Sequence, residues 1–218
     1  MLITDKKVTD YINSLYKPKN IFLEALRAQA EKDKIPIILR DTETLLSVLL
    51  EIKRPKRILE IGTAIGYSAI YFAYLMPDAH ITTLELKEKM QRKALLNIKE
   101  AGFADRIKII LGDALETLSC FNDEEPYDFI FIDGAKGHYK DIFDSCLKIA
   151  KPGTVIVSDN ILYRAMIASD DYLDNRRNKT IVNRMREYLK YITAMPNIAT
   201  SVLAVGDGVA ISVVKEIK

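Results

Sequence analysis

From Arg57 onward, short apolar runs rich in β-branched residues alternate with stretches of helical periodicity. The runs are RILEIG (57–62), HITTLEL (80–86), RIKIILG (106–112), YDFIFID (127–133) and GTVIVSD (153–159). Each is nearly continuous in apolar residues, as strands covered on both faces must be, and the segments between them are long enough for crossover helices. The end of the chain breaks this rhythm. TSVLAVG (200–206) and GVAISVVK (208–215) are separated by little more than Asp207, which demands an antiparallel hairpin. Ahead of Arg57, helices are predicted near 5–16, 20–34 and 41–52, punctuated by Pro18 and Pro36. The expectation is an α/β fold: a doubly wound, seven-stranded, mostly parallel sheet with a C-terminal antiparallel hairpin and an N-terminal helical cap. No internal repeat or low-complexity tract interrupts it.

Length changes this picture little, since 218 residues with 49% hydrophobic content suit one domain over 1–218, with the cap at 1–55 and the core at 56–218. Charged residues are 28% of the chain and the net charge is +2, which excludes a disordered acidic tail or a strongly basic nucleic-acid coat. Nucleic-acid binding, if present, is local. Cys120 and Cys146 fall in predicted helices without CxxC or Cys/His spacing, and are expected to be buried thiols in a reducing cytosol. MLITDKKVTDYINSL lacks the apolar core of a secretory signal, and no segment approaches the roughly 18 continuous apolar residues of a membrane span. A soluble, cytoplasmic protein with no membrane partner is expected.

The candidate chemistry gathers at the carboxyl ends of the strands, where open α/β sheets bind ligands. Leu59-Glu60-Ile61-Gly62-Thr63-Ala64-Ile65-Gly66-Tyr67-Ser68 places Gly62 and Gly66 in the first strand-to-helix turn, where backbone passes close to a ligand and a helix offers free N–H groups. A glycine-rich turn alone also serves as a plain tight turn, and G-x-x-x-G lacks the third, packing glycine of a dinucleotide fingerprint. Glu85 ends the second strand, where a carboxylate accepts from both ribose hydroxyls; Asp113-Ala114 ends the third, within reach of an adenine amino group. Glu60 and Ser68 complete the expected cofactor set, with Glu60 facing the cofactor's amino group. Asp133 ends the fourth strand and Asp159-Asn160 the fifth. Two carboxylates and an amide oxygen make a hard-oxygen set suited to Mg²⁺ or Mn²⁺, although Asp at a strand end also serves as a helix cap.

With these residues in order, the chain resembles the cation-dependent, catechol O-methyltransferase-like class of S-adenosylmethionine enzymes. E-I-G-T-x-x-G-Y-S, F-I-D-x-x-K-x-x-Y and S-D-N occur in that family's order and spacing over nearly the whole chain. The resemblance implies a class I, Rossmann-like methyltransferase sheet, with S-adenosylmethionine as cofactor. It also implies Asp133, Asp159 and Asn160 as metal ligands, Asp133 and Lys136 as catalytic residues with Lys136 beside the acceptor hydroxyl, and a homodimer. Asp133 belongs to the cofactor set as well. His138 is open between an acceptor-pocket residue and a surface or capping histidine.

The acceptor is read from finer motifs. Many relatives carry F-I-D-A-D-K, whereas this chain has Asp133-Gly134-Ala135-Lys136. Asp133-x-Ala135-Lys136-Gly137-x-Tyr139, Ser158–Arg164 and Val205-Gly206-Asp207-Gly208 are similar to the bacterial tRNA 5-hydroxyuridine methyltransferases. That similarity implies methylation of 5-hydroxyuridine to 5-methoxyuridine at the anticodon wobble position, with the tRNA anticodon region as partner. In residues 175–190, Arg176, Arg177, Lys179, Arg184, Arg186 and Lys190 face the single acid Glu187. On a helix, Ile181, Met185, Tyr188 and Ile192 share a stripe opposite Lys179, Arg186 and Lys190, which become candidate RNA-phosphate contacts. An ordinary solvated face is the alternative. A small vicinal diol such as a catechol is the rival acceptor, since it offers a metal the same adjacent oxygen pair. A non-catalytic nucleoside-binding protein has no use for the metal set, and a dehydrogenase disagrees with the glycine spacing and the terminal hairpin.

Overall fold

The computed structural model describes residues 3–18, 20–121, 125–134, 136–173 and 178–215. Three helices, α1 (Lys6–Ser14), α2 (Ile21–Lys32) and α3 (Arg40–Lys53), precede the alternating region. That region runs β1 (Arg57–Ile61), α4 (Tyr67–Leu75), β2 (His80–Glu85), α5 (Glu88–Glu100), β3 (Ile107–Leu111), α6 (Ala114–Ser119), β4 (Tyr127–Ile132), α7 (Tyr139–Leu147) and β5 (Ala150–Ser158). Helix α8 (Asn178–Ala194) and the hairpin β6 (Ile198–Leu203) and β7 (Val209–Val214) complete it.

The sheet has the order β3-β2-β1-β4-β5-β7-β6, parallel from β3 through β5 and antiparallel at β7 and β6. This is the seven-stranded, mostly parallel, doubly wound arrangement expected from the sequence. Successive strand residues face opposite layers. Ile58 therefore packs with α2, α3, α4 and α5 around Phe72, while Leu59 packs with α7 and α8 around Phe143 and Tyr188. Phe72 meets Phe129 and Phe131 edge-on at centroid distances of 6.2 and 5.7 Å.

Three details depart from the sequence reading. β5 starts at Ala150 rather than 153, because a register shift opposite Tyr127 admits Pro152-Gly153. Thr154 closes that irregularity, its Oγ1 donating to the Tyr127 carbonyl at 2.7 Å and accepting from Lys151 N–H at 2.9 Å. The β6–β7 connection spans 204–208, with Gly206 and Gly208 at φ of 59° and 89°, where a side chain would be strained. Cys120 is exposed just past the six-residue α6, while Cys146 is buried as expected.

The cap is joined to the core by a buried polar cluster that no periodicity announced. Glu43 of α3 is 1% exposed and accepts from the Arg27 guanidinium, the Tyr16 hydroxyl and, at 2.8 Å, the Tyr67 hydroxyl. Arg27 Nε also donates to Tyr67 Oη at 3.2 Å. Burial and the neighbouring Glu43 carboxylate push both phenols well above the ordinary tyrosine range, so they remain donors. Among the described residues, no helix is long and apolar enough to cross a membrane.

Breaking one partner of a buried pair leaves an uncompensated charge, costing about 3–5 kcal/mol, whereas replacing both with apolar residues is often near neutral. Glu43→Ala is therefore expected to lose about that much in urea unfolding, with Arg27→Met/Glu43→Leu recovering most of it. Equal losses in both variants would contradict a charge-stranding origin.

Candidate functional site

The tips of β1 to β4 and the start of the β5 loop border a cavity of about 530 Å³. Its wall includes Gly62, Glu85, Asp113, Ala114, Asp133, Lys136, His138 and Asn160. Parallel pairing brings these together, since β1 and β4, and β4 and β5, end level with each other. Ile35, Pro36 and Ile37, between α2 and α3, cover the opposite side. Sequence reasoning missed that contribution, although a proline between two isoleucines just after a helix was its signal.

The two glycines do different work. A Cβ on Gly62 would lie 2.2 Å from the Asp133 carbonyl oxygen, so β1 and β4 tips pack backbone on backbone. Gly66 does not border the cavity; its Cβ would meet Ala94 Cβ at 3.3 Å. It thus performs the helix-packing role that the sequence reading found no glycine for.

Glu85 is held rigidly. One carboxylate oxygen accepts from Ala64 N–H and the other from Lys87 N–H, both at 2.8 Å. A carboxylate oxygen has more than one acceptor direction, so a ligand hydroxyl can still be accepted. Asp113 caps α6, its Oδ1 accepting from Leu115 and Glu116 N–H at 2.8 and 3.2 Å. Glu60 and Ser68 are not among the residues bordering the cavity. Glu60 is fully buried and accepts from the Ser68 and Thr83 hydroxyls, one at each carboxylate oxygen.

Asp133 and Asp159 stand at the tips of β4 and β5. Burial pushes the Asp133 carboxyl up to about 6, with Lys136 pulling the other way. Asp159 is raised well above the carboxylate range, by burial first and then by repulsion from Asp133. Asp159 Oδ1 accepts from Asn160 N–H at 2.7 Å, and Oδ2, buried, has no hydrogen-bond partner among the described residues. Such an orphan acceptor is costly unless something else binds it. Asn160, with φ of 56°, lines the cavity. Two desolvated carboxylates, one orphan oxygen and an adjacent amide fit a hard divalent cation. Lys136 opens a short 3₁₀ turn, its Nζ 5.1 Å from the Tyr163 ring centroid. His138 borders the cavity yet is exposed, with Nδ1 3.9 Å from Asp141.

The basic helix divides. Lys179 and Lys190 are exposed, and the buried stripe is Val182, Met185, Tyr188 and Ile192, with Ile181 half-buried. Arg186 leaves the expected free cationic face. Its guanidinium is half-buried and donates to Ile167 O at 2.9 Å, Asp170 Oδ1 at 2.7 Å and Met166 O at 3.4 Å. Arg184 donates to Gly137 O at 3.2 Å. Arg176 and Arg177 lie outside the described residues.

Burial pushes the Glu60 carboxyl from its ordinary 4.5 up to about 7, against the pull of the two hydroxyls. Folding therefore favours its protonated form, and its stabilising contribution, whole below about pH 4.5, is lost as pH rises through about 7. Between about pH 5 and 8, urea unfolding of Glu60→Gln is expected to avoid a decline of roughly 2–3 kcal/mol seen in the wild type. Parallel pH profiles would refute this.

The family model described as O-methyltransferase matches residues 13–215. A catechol O-methyltransferase of Niastella koreensis is 33% identical over 178 residues, covering 78% of each chain. A caffeoyl-CoA O-methyltransferase of Populus kitakamiensis is 30% identical over 217 residues, covering 92% of this chain and 89% of its own. The crystal structure of an O-methyltransferase from Bacillus cereus in complex with SAH superposes with a TM-score of 0.83 at 31% identity, covering 96% and 97% of the two chains. With its sheet order, its strand-tip cavity and a match along nearly its whole length, this chain belongs to the O-methyltransferase family.

Proposed function

We propose that the protein transfers a methyl group from S-adenosylmethionine to a hydroxyl oxygen held by a divalent cation, and that this oxygen is the 5-hydroxyl of 5-hydroxyuridine at a tRNA wobble position. The observation that carries the reading is Asp159, buried and with its Oδ2 unsatisfied among the described residues, at the tip of β5 next to the half-buried Asp133 and the strand-tip cavity. Asp133, Asp159 and Asn160 would hold the Mg²⁺ or Mn²⁺. When bound, that ion orients two adjacent acceptor oxygens and lowers the pKa of the hydroxyl.

The chain's own residues supply the remainder. Glu85, immobilised by two backbone N–H groups, accepts from the cofactor's ribose hydroxyls, and Asp113 and Ala114 border the adenine end. Gly62, where a side chain would collide with the Asp133 carbonyl, lets the β1 tip lie against the β4 tip at the cavity wall. Lys136 places an ammonium at the cavity wall, where it steadies the oxyanion that attacks the methyl group. The nucleophile must approach the sulfonium methyl in line with the departing sulfur, so fixing both partners on one sheet edge accounts for much of the catalysis.

The acceptor reading rests on the similarity of Asp133–Tyr139, Ser158–Arg164 and Val205–Gly208 to the tRNA enzymes, and on exposed Lys179 and Lys190 as phosphate contacts. A wobble base is unpaired, so a pocket and backbone contacts suffice to hold it. Helix α1 buries none of its residues and exposes Val8, Tyr11 and Ile12, which with Leu15 just past its end form the candidate surface for the homodimer included in this proposal. A second reading, a small catechol-like diol, is favoured by the match to the Niastella koreensis enzyme.

The protein should be incubated with S-adenosylmethionine and either tRNA from cells lacking 5-methoxyuridine or free catechol, with products read by mass spectrometry. We expect 5-methoxyuridine in the tRNA. Lys179→Gln/Lys190→Gln should lower the magnitude of the log–log salt slope of tRNA binding by about 1.5, leaving catechol turnover unchanged. Methylation of catechol alone would establish the second reading, and no methylation of either would contradict both.

A further inference from the structure

The turn that carries Asn160 and Tyr163 is one that its own residues disfavour. Tyr163, Arg164 and Ala165 adopt φ of 44°, 55° and 64° in succession, following Asn160 at 56°. Side-chain-bearing residues seldom enter this left-handed region, and a run of three without glycine needs support from outside the turn.

That support comes from the β6–β7 turn. Ile161 N–H donates to Gly208 O and Leu162 N–H to Asp207 O, each at 3.0 Å, and Arg164 N–H donates to Asp207 Oδ1 at 2.5 Å. A Cβ on Gly208 would lie 2.4 Å from Leu162 Cγ, so the two segments are in direct contact. Gly206 N–H donates to Asp41 Oδ2 at 2.9 Å, tying the hairpin turn to α3. At the other end of the loop Arg186 grips the carbonyls of Met166 and Ile167. Among the described residues, Asp207 is the side chain through which the hairpin turn hydrogen-bonds the middle of the left-handed run. Burial pushes its carboxyl up, with the Arg164 N–H and Lys136 pulling it down, and it repels Asp159. The same turn presents the Tyr163 ring to Lys136 and lets Tyr163 donate to Asn178 Oδ1 at 3.2 Å.

We propose that Asp207 is a positioning residue for the methyl acceptor: by anchoring Arg164 N–H it holds the left-handed turn that sets Asn160 at the cavity edge and Tyr163 against Lys136. This rests on the reading of that edge as the acceptor site. Asp207 is not among the residues bordering the cofactor cavity.

Asp207→Ala removes the anchor, whereas Asp207→Asn retains an oxygen in its place. Hydrogen exchange of the peptide covering 160–168, read by mass spectrometry, should quicken about 10- to 100-fold in the alanine variant, the range for a lost charge-assisted hydrogen bond. It should stay near wild type in the asparagine variant. Affinity for S-adenosylmethionine should be unchanged in both. The KM for whichever acceptor the wild type methylates, tRNA or catechol, should rise about tenfold or more with alanine and be rescued by asparagine. Unchanged exchange, release of the loop without a change in acceptor KM, a parallel loss of cofactor affinity, or an asparagine variant as impaired as alanine would each overturn the proposal. A wild type that methylates neither acceptor contradicts the proposed function instead, and the exchange experiment still judges the anchor.

Discussion

Two carboxylates that repel each other, the half-buried Asp133 and the buried Asp159, stand at the tips of the adjacent strands β4 and β5. The sheet leaves them no choice. Ile132 pairs with Ser158 in parallel register, Asp133 N–H donates to Ile61 O and Asp159 N–H donates to Ile132 O, each at 2.9 Å. Tyr139 adds a hydrogen bond from its buried hydroxyl to the Asp159 carbonyl at 2.8 Å. The two Cα positions are thus fixed through the backbone, and Asn160 N–H holds one oxygen of Asp159 at 2.7 Å. Much of the surrounding sequence answers to that constraint: Gly62 because a side chain would strike the Asp133 carbonyl, Lys136 because a cation offsets the pair, and Asn160 because an amide oxygen completes the edge.

Other buried acids in the molecule show what a structural carboxylate looks like by contrast. Glu43 is surrounded by a guanidinium and two phenolic donors, and Glu60 by two hydroxyls. Both are satisfied within the fold, and both tie helices to one another or to strands. Asp159 Oδ2 has no such partner, and that difference, rather than burial, separates a site from a scaffold. Cations divide as well. Arg27 and Arg186 are consumed by internal acceptors, whereas Lys179 and Lys190 of α8 are exposed.

The sheet was legible because strands covered on both faces have no polar alternation to confuse them, and because a hairpin with almost no linker can only be antiparallel. Its edges were less so. The start of β5 depended on Thr154 closing an irregularity against Tyr127, a contact between residues 27 positions apart that no local pattern encodes. That Glu85, Asp113, Asp133 and Asn160 border the cavity was legible because each lies at or just past a strand end, and strand ends can be read from hydropathy. Glu60 and Ser68 do not border the cavity: Glu60 shares its strand face with Ile58 and meets Ser68 and Thr83 there, hydrogen bonds that no hydropathy pattern announces. Arg186 was assigned to a free face because helical periodicity ignores the loop that folds over α8.

If the repelling carboxylates are there to hold a cation, the ion should be detectable without any knowledge of the acceptor. Mn²⁺ titrated into the protein and followed by electron paramagnetic resonance should show one bound ion per chain that excess Mg²⁺ displaces, with binding lost in Asp159→Ala and cofactor affinity retained. Mn²⁺ that stays free, or binds equally well to Asp159→Ala, would contradict the account and leave the pair as an unrelieved repulsion at the edge of the sheet.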